Sequence, residues 1–310
     1  MAKKIKVLSI GSLGKKNQIS PFRLEQGESL KKKGFDIKYF NIKGRGILGY
    51  LKNLPRLIYI IKTNNHDLIH AHYGLSGMLS VLQRKLPVVI TFHGSDIWRP
   101  YVRKISLIAS YLSNWNIFIS KTLENHAAGF RKENSIVIPC GVDLKKSFPI
   151  DKTNARKSLG MNKKDKYVLF SSSFSKEIKN YPLAKKAMKY IPEVDLIELE
   201  GYTKEEVNYL MNACNVLLVT SFNESGPLVV KEAMACNLSI VSTKVGDVQE
   251  VIGDTEGCYL VSYKPKDVAE KIKMALDFGK KTNGREKIKN YEITLIAERI
   301  KNVYYKIINK

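Results

Sequence analysis

The sequence predicts an α/β protein built of two doubly wound domains. Three observations carry that prediction. At 310 residues the chain suits about two domains. Short apolar runs of strand type alternate with amphipathic stretches of helical period. The alternation occurs twice, and Pro149 with its polar neighbours interrupts it once, around residues 148–153. The domains are expected over residues 1–150 and 151–292, with a closing helix over 293–310 that packs back on the first of them.

In the first half the apolar runs predict strands over residues 7–10, 35–42, 67–72, 88–92, 116–119 and 136–139. Helical periodicity places helices over 22–33, 47–62, 75–85 and 99–112 between them. In the second half strands fit 167–171, 194–198, 216–220, 239–242 and 258–261, and helices fit 181–190, 204–214, 228–236 and 265–278. Strand–helix alternation implies parallel sheets with helices on both faces. In the last segment Ile296, Ile300, Val303, Tyr304 and Ile307 recur at helical spacing, which makes an amphipathic helix with a basic outer face. Ligands of open parallel sheets bind beyond the carboxyl ends of the strands, so residues just after strands carry the functional information. A cleft between two such domains is the expected active site.

Composition narrows the partners. Hydrophobic residues make up 44% and charged residues 26%, which argues against a disordered or fibrous chain. The formal charge is +23. Residues 1–150 hold 25 basic and 8 acidic side chains, so most of the excess lies there. A half this basic attracts something anionic, unless its lysines simply solvate the surface. Nucleic acid is not favoured, because aromatic and basic residues are not interleaved in any recognisable binding module. Cys140, Cys214, Cys236 and Cys258 stand singly, without metal or redox spacing, as in a reduced cytosolic protein. The apolar run after the basic start is too short for a signal peptide. No stretch approaches the ~18 apolar residues of a membrane span.

The most informative segment runs from Thr220 through Ser221-Phe222-Asn223-Glu224-Ser225-Gly226-Pro227-Leu228 to Lys231-Glu232-Ala233-Met234-Ala235. It follows a strand, turns and opens a helix. Ser225 is the expected N-cap, and Pro227 suits a first turn whose N–H groups lack partners anyway. Those free amides and the positive helix end favour an anion. Glu224 lies before the helix, and Glu232 sits about five residues further in, about 7–8 Å along the axis. Two such carboxylates can meet one elongated ligand at two points and accept from sugar or ribose hydroxyls. Alternatively Glu224 complements the helix dipole and Glu232 is a surface residue, and the spacing alone does not choose.

Two glutamates separated by seven residues and followed by Ala233-Met234-Ala235 resemble the signature of family 4 glycosyltransferases with the GT-B fold. Other segments resemble the same family: Val137-Ile138-Pro139-Cys140-Gly141-Val142-Asp143, where Cys140 replaces an asparagine, Ile119-Ser120, and the loop from Val241 to Glu250. The resemblance implies a retaining transferase that moves a sugar from a nucleotide-diphosphate donor to a hydroxyl acceptor, with no metal or other cofactor. It implies that Glu224 contacts the donor sugar and Glu232 the ribose, while the backbone around Ser225, Gly226 and Leu228 faces the sugar or diphosphate. A saccharide or lipid-linked acceptor in cell-envelope synthesis is the implied partner, at the inner face of the membrane. An anionic membrane surface would suit the basic half.

The family also has an arginine and a lysine after the first strand of its second domain. Lys179 matches the lysine. Serines 172, 173 and 175 occupy the arginine's neighbourhood, and Lys176 is the candidate substitute, without a guanidinium's bidentate fork. Thr91-Phe92-His93-Gly94-Ser95-Asp96 resembles the family's His-Gly-x-Asp loop, which implies that His93 reaches the transferred sugar. His72 is read as facing the cleft and His70 as structural. Gly11 and Gly14 follow the first strand, where the family places its glycine loop. Lys15-Lys16 and the glycine spacing exclude a dinucleotide fingerprint. The apolar, basic stretch 49–62 is either a core-packed helix or a membrane-surface helix. The absent arginine leaves open a protein that binds sugar nucleotides without turnover.

Overall fold

The computed structural model describes residues 4–14, 17–44 and 46–309. Lys15 and Lys16, and the first three residues of the basic start, lie outside the described residues. The chain divides into two compact units. Unit 1 comprises the chain up to Gly141 together with the segment from Ile293, and unit 2 comprises Val142–Glu292.

Unit 1 holds a six-stranded parallel sheet in the order β2-β1-β3-β4-β5-β6. Its strands are β1 (Lys6–Ser12), β2 (Asp36–Ile42), β3 (Leu68–His72), β4 (Val88–Phe92), β5 (Trp115–Phe118) and β6 (Ser135–Val137). Unit 2 holds β7 (Lys166–Phe170), β8 (Val194–Glu198), β9 (Val216–Val219), β10 (Ser239–Thr243) and β11 (Cys258–Val261), ordered β11-β10-β9-β7-β8. All pairings are parallel. In each sheet the strand order reverses beside the first strand, between β1 and β3 and between β7 and β9. The loops that leave the carboxyl ends there diverge, which makes the switch point the place where a ligand fits.

Apolar runs in the central strands are buried on both faces, as helix-covered parallel strands require. In unit 2 one layer gathers Leu169, Leu217, Val219, Val230 and Met234, and the other Val168, Phe170, Leu218, Val241 and Ile272. In unit 1 the second layer joins Val7, Leu68, Val89 and Ile117 to Ile296, Ile300, Val303 and Tyr304 from the terminal helix Ile293–Ile308. That helix also packs along the first helix, Pro21–Lys32, and Tyr304 Oη shares a 2.6 Å hydrogen bond with His70 Nδ1.

Three local departures from the sequence pattern have physical causes. The division falls at Gly141, ahead of residues 148–153, because the chain beyond Val142 is already bound to unit 2. Asn208 and Asn212 accept from the amides of Phe148 and Ile150 at 3.0 and 2.7 Å, and Arg285 donates to the carbonyls of Leu144 and Ser147. The stretch 47–62 forms two helices, Gly46–Leu51 and Leu54–Thr63. Asn53 breaks them by donating to the carbonyls of Lys43 and Gly49, and Pro55 has no N–H to extend the first. The second helix spends Leu57 and Ile61 on the core, so its apolar stripe faces inward. The helix after β9 begins at Leu228 with Pro227 as N-cap and no side-chain cap. Ser225 is therefore not the N-cap that the Ser-Gly-Pro pattern predicts. Pro227 is extended (ψ 113°), and the turn needs two further residues before helical geometry starts.

Truncating Ile300, which is 1% exposed, to Ala should cost about 2–5 kcal/mol, the usual range for a buried large-to-small change. Urea denaturation followed by far-UV circular dichroism measures it. A loss well below that range would show that the terminal helix is not part of the unit 1 core.

Candidate active site

The switch point of unit 2 gathers four post-strand loops. After β7 the chain runs through Ser171–Ser175, then a 3₁₀ turn Glu177–Lys179 closed by Asn180 in the left-handed region (φ 52°). After β9, Thr220 Oγ1 donates to the carbonyls of Lys179 and Asn180 at 2.9 and 3.0 Å, and the Phe222 amide donates to Ile178 O at 3.0 Å. The two loops are thereby laced together. Lys179 Nζ donates to Glu224 Oε1, and Ser221 Oγ donates to the same oxygen at 2.7 Å. Both Lys179 and Glu224 are mostly covered, with side chains 17% and 14% exposed.

Glu232 lies one turn into the Leu228–Ala235 helix and is buried. Lys204 Nζ, from the start of the Lys204–Ala213 helix after β8, donates to its Oε1. Each of the two sequence-predicted carboxylates is thus held by a lysine from a different element. Lys204 sits in no sequence motif, and only the fold brings it to Glu232, whereas Ser221 lies in the Thr220–Ala235 segment, three residues before Glu224, with no role read from the sequence. Capping by Thr203 (which accepts from the Glu206 amide) fixes the turn that aims Lys204.

The serine loop is held from below. Glu198, the last residue of β8, accepts from Ser173 Oγ at 2.9 Å and from the Phe174 amide at 2.5 Å. Lys176 Nζ donates to Ser172 Oγ at 3.0 Å, so its ammonium stands over the serines that occupy the place of the family arginine. Ser171 Oγ is buried without a partner. Beyond Glu224, Ser225 and Gly226 are half-buried, and Leu228 opens the helix, whose Val230 amide donates to Pro227 O at 3.2 Å.

In unit 1, Gly94 (φ 117°) bends the chain sharply after β4. Asp96 in that bend accepts from the amides of Gly94 (2.7 Å), Gly74 (3.1 Å) and His93 (3.2 Å). Burial nevertheless pushes its pKa up to about 6. His93 Nε2 shares a 3.2 Å hydrogen bond with His72 Nδ1, and its ring lies 4.7 Å from Phe22 and 4.6 Å from Tyr73. His93 and Phe22 line a small cavity with Thr91 and Cys140. Phe22 and Gly14 also line a larger pocket of about 300 Å³ with Ser12, Tyr73, Asp96 and Arg99. His72 is buried beneath His93 rather than open to a ligand. His70 is buried too, bridging Tyr304 and Thr91. Burial holds all three imidazoles well below their ordinary pKa, His70 at about 3, so neutral rings hold these contacts at neutral pH.

Gly11 is buried rather than lining the pocket. A Cβ there would meet Arg23 Nη1 at 2.8 Å, and it is the guanidinium that requires a glycine. Arg23 donates to Ser9 Oγ, Ser9 O, Phe40 O and Asn41 Oδ1. The site residues thus form two groups, Lys176, Lys179, Glu224, Ser225, Gly226, Leu228 and Glu232 in unit 2, and His93 with Gly14 in unit 1. Among the described residues, no three His, Cys, Asp or Glu side chains are placed to hold a metal, and no helix is long and apolar enough to cross a membrane.

Two parallel-sheet units with acidic and basic side chains gathered at a strand-order reversal define a GT-B glycosyltransferase fold. Residues 23–146 match Glycosyltransferase Family 4 and residues 195–293 match Glycosyl transferases group 1. An uncharacterised glycosyltransferase of Methanocaldococcus jannaschii is 30% identical over 253 residues, covering 74% of this chain and 71% of that protein. The chain belongs to the family 4 glycosyltransferases and is an enzyme of that class. A Campylobacter jejuni relative, named N,N'-diacetylbacillosaminyl-diphospho-undecaprenol alpha-1,3-N-acetylgalactosaminyltransferase, is 24% identical over 83% of this chain and 82% of its own. The Anabaena protein HepE, solved with UDP and glucose, superposes with a TM-score of 0.78 at 18% identity, over 97% of this chain and 99% of that one.

The buried imidazoles make stability depend on pH. The ordinary pKa of His70 is 6.5 and the folded value about 3, so its contribution is complete above about 6.5 and is lost as the pH falls toward 3. Between those limits His70 alone changes stability by about 1.4 kcal/mol per pH unit. The depressed His72 acts with the same sign. Asp96, raised from 3.8 to about 6, opposes them, since its contribution is present below 3.8 and lost as the pH rises through 6. Unfolding free energy should therefore fall between pH 6.5 and 5, and His70→Gln should make that slope shallower by about 1.4 kcal/mol per unit. Urea melts at pH 7, 6 and 5 read the slope, and an unchanged slope in the variant rules out a neutral buried His70.

Proposed function

We propose that this chain transfers a sugar from a nucleoside-diphosphate donor to a hydroxyl acceptor with retention of configuration. The observation that carries the proposal is the pair of lysine-held carboxylates, Glu224 and Glu232, on either side of the start of the Leu228–Ala235 helix. Glu232 takes the ribose hydroxyls, and Glu224 takes hydroxyls of the donor sugar, because ionised carboxylates are strong acceptors for both. An extended diphosphate then lies along the helix start, where the positive helix end and the amides near Gly226 and Leu228 favour an anion.

Lys179 has three N–H donors. It can keep Glu224 with one and turn another to the diphosphate as negative charge develops on the leaving group, which lowers the barrier electrostatically. Lys176, already beside Ser172, adds a second cation in the region where the family arginine is missing, as a point charge rather than a fork. Glu224 is engaged by Lys179 and Ser221, which suits a hydroxyl-holding group better than a nucleophile. The acceptor oxygen then attacks on the face that the diphosphate is leaving. Neutral His93 orients a hydroxyl of the transferred sugar, and Gly14 leaves room for it. No cofactor enters this scheme, since the nucleotide-diphosphate sugar is itself the activated substrate.

For the acceptor, the proposal is a saccharide or lipid-linked saccharide of the cell envelope, reached at the inner face of the membrane. Support comes from the Campylobacter relative, whose name places its substrate on diphospho-undecaprenol, and from the basic first half. The exposed Leu48 and Tyr59 lie on the two short helices near Lys52, in the turn between them, and Lys62, in a form that anionic lipid would attract at about 1 kcal/mol per basic residue.

The missing arginine favours one second reading, a protein that binds the donor without turning it over. A thermal-shift screen of nucleotides and nucleotide sugars, followed by a transfer assay with the donor that stabilises most, separates the two. Glu232→Ala should weaken donor binding at least about tenfold with a smaller change in kcat, through loss of charge-assisted hydrogen bonds. Lys179→Ala should lower kcat by about a hundredfold with donor affinity changed only severalfold. Wild-type constants in both variants would remove these assignments, and donor binding with no transfer to any acceptor would establish the second reading.

A further inference from the structure

We infer that the buried ion pair Lys231–Asp247 is the positioning element that holds the Glu224 loop in register with Glu232. The inference rests on the reading of those two glutamates given above. Lys231 Nζ donates to Asp247 Oδ2 at 2.5 Å, with side chains 0% and 3% exposed. Lys231 precedes Glu232 in the Leu228–Ala235 helix, whereas Asp247 lies in the loop after β10. The pair therefore ties the helix that carries one glutamate to a loop that braces the other.

The bracing is visible at two glycines. Gly246 has φ +54°, and a Cβ there would lie 3.0 Å from the Ser225 carbonyl carbon and 3.1 Å from Glu224 O. A Cβ at Gly226 would lie 3.3 Å from Asp247 Oδ2. The backbone that presents Glu224 thus rests directly on Gly246 and on the Asp247 carboxylate. Asp247 also occupies the N-cap of the short Val248–Ile252 helix but makes no side-chain cap bond. It forgoes the local partner that an N-cap aspartate usually takes and turns inward to Lys231.

Stability does not explain such a pair. Desolvating two charges costs several kcal/mol per ion, and replacing a buried pair with apolar residues is often neutral or stabilising. What a buried pair can supply is a single geometry. Its Oδ1 has no partner, and Lys231 stands 5.4 Å from the Tyr291 ring. Lys231 is thus the one cation within salt-bridge distance of Asp247 among the described residues. By contrast, Lys179–Glu224 and Lys204–Glu232 keep some exposure and can exchange partners when a ligand arrives. Lys231–Asp247 is out of reach of any ligand and stays closed through the cycle.

The consequence differs for the two halves of the donor. A nucleoside diphosphate meets Glu232 and the helix start, and a nucleotide sugar must in addition meet Glu224. Loss of the pair lets the Glu224 loop move relative to the helix, so the sugar's share of the affinity should be lost and the nucleotide's share kept. Lys231→Met or Asp247→Leu alone would leave one buried charge unpaired and can fail to fold. The test therefore uses the double variants K231M/D247L and K231Q/D247N, the second keeping a polar contact without charge.

Calorimetric titration is run with UDP, GDP and ADP, and with the glucose and N-acetylglucosamine conjugates of whichever binds the wild type. In K231M/D247L the nucleoside-diphosphate Kd should stay within about threefold while the nucleotide-sugar Kd rises at least about tenfold, and K231Q/D247N should recover part of that loss. Equal weakening of both ligands, or wild-type affinity for both, overturns the positioning role and leaves the glutamate reading intact. Failure of the wild type to bind any of these ligands overturns the glutamate reading and this inference with it. Should K231M/D247L not fold, the same comparison in K231Q/D247N decides the matter: a nucleotide-sugar affinity that moves no more than the nucleoside-diphosphate affinity overturns the role.

Discussion

Parallel strands can be joined only by a crossover that returns the chain to the starting edge, and this constraint organises everything else in the molecule. Because β7, β8, β9 and β10 run in the same direction, the loops that follow them all emerge at one edge of the sheet. Lys179, Lys204, Glu224 and Asp247 are far apart in sequence and adjacent in space for that reason alone. The reversal of strand order beside β7 then opens a gap between two of these loops, and Thr220 stitches its sides together through the carbonyls of Lys179 and Asn180. Unit 1 repeats the pattern with different side chains: a histidine, an aspartate that gathers amides, and aromatic rings.

The two units treat buried charge differently. In unit 2 the buried or half-buried carboxylates of the site are matched with cations, so that Glu224, Glu232 and Asp247 each have a lysine. Among the described residues of unit 1, the buried Arg23 and Asp96 form no ion pair. Arg23 donates to hydroxyl, amide and carbonyl oxygens, burial lowers its pKa to about 10, and the imidazoles are held uncharged. A matched site tolerates an arriving anion because its lysines have donors to share. The unit 1 site offers hydroxyl-sized hydrogen bonding with little net charge from its histidines.

Much of this was legible in the sequence, and what was not has a physical reason. The buried parallel strands appear as continuous apolar runs, and the amphipathic period of residues 293–310 identifies a helix that covers a core. Glu224 and Glu232 stand out because their spacing and their place after a strand are local properties. Lys204, Lys231 and Asp247 do not, since each owes its role to a partner on another element that only the topology brings close. The break at Asn53 depends on a side chain reaching back to Lys43 and Gly49, which no helical period records. Ser225 was misread as a cap because Ser-Gly-Pro matches a capping pattern, whereas the extended Pro227 postpones the helix to Leu228.

The terminal helix bears on how the polypeptide is made. Ile296, Ile300, Val303 and Tyr304 complete an apolar layer whose other members, Val7 to Ile138, are translated first, and Tyr304 supplies the partner of His70. A ribosome must therefore finish the whole of the second sheet before the first can close its own interior. Nascent unit 1 waits with an uncovered face, unit 2 is free to mature ahead of it, and the order of emergence is the reverse of the order of completion.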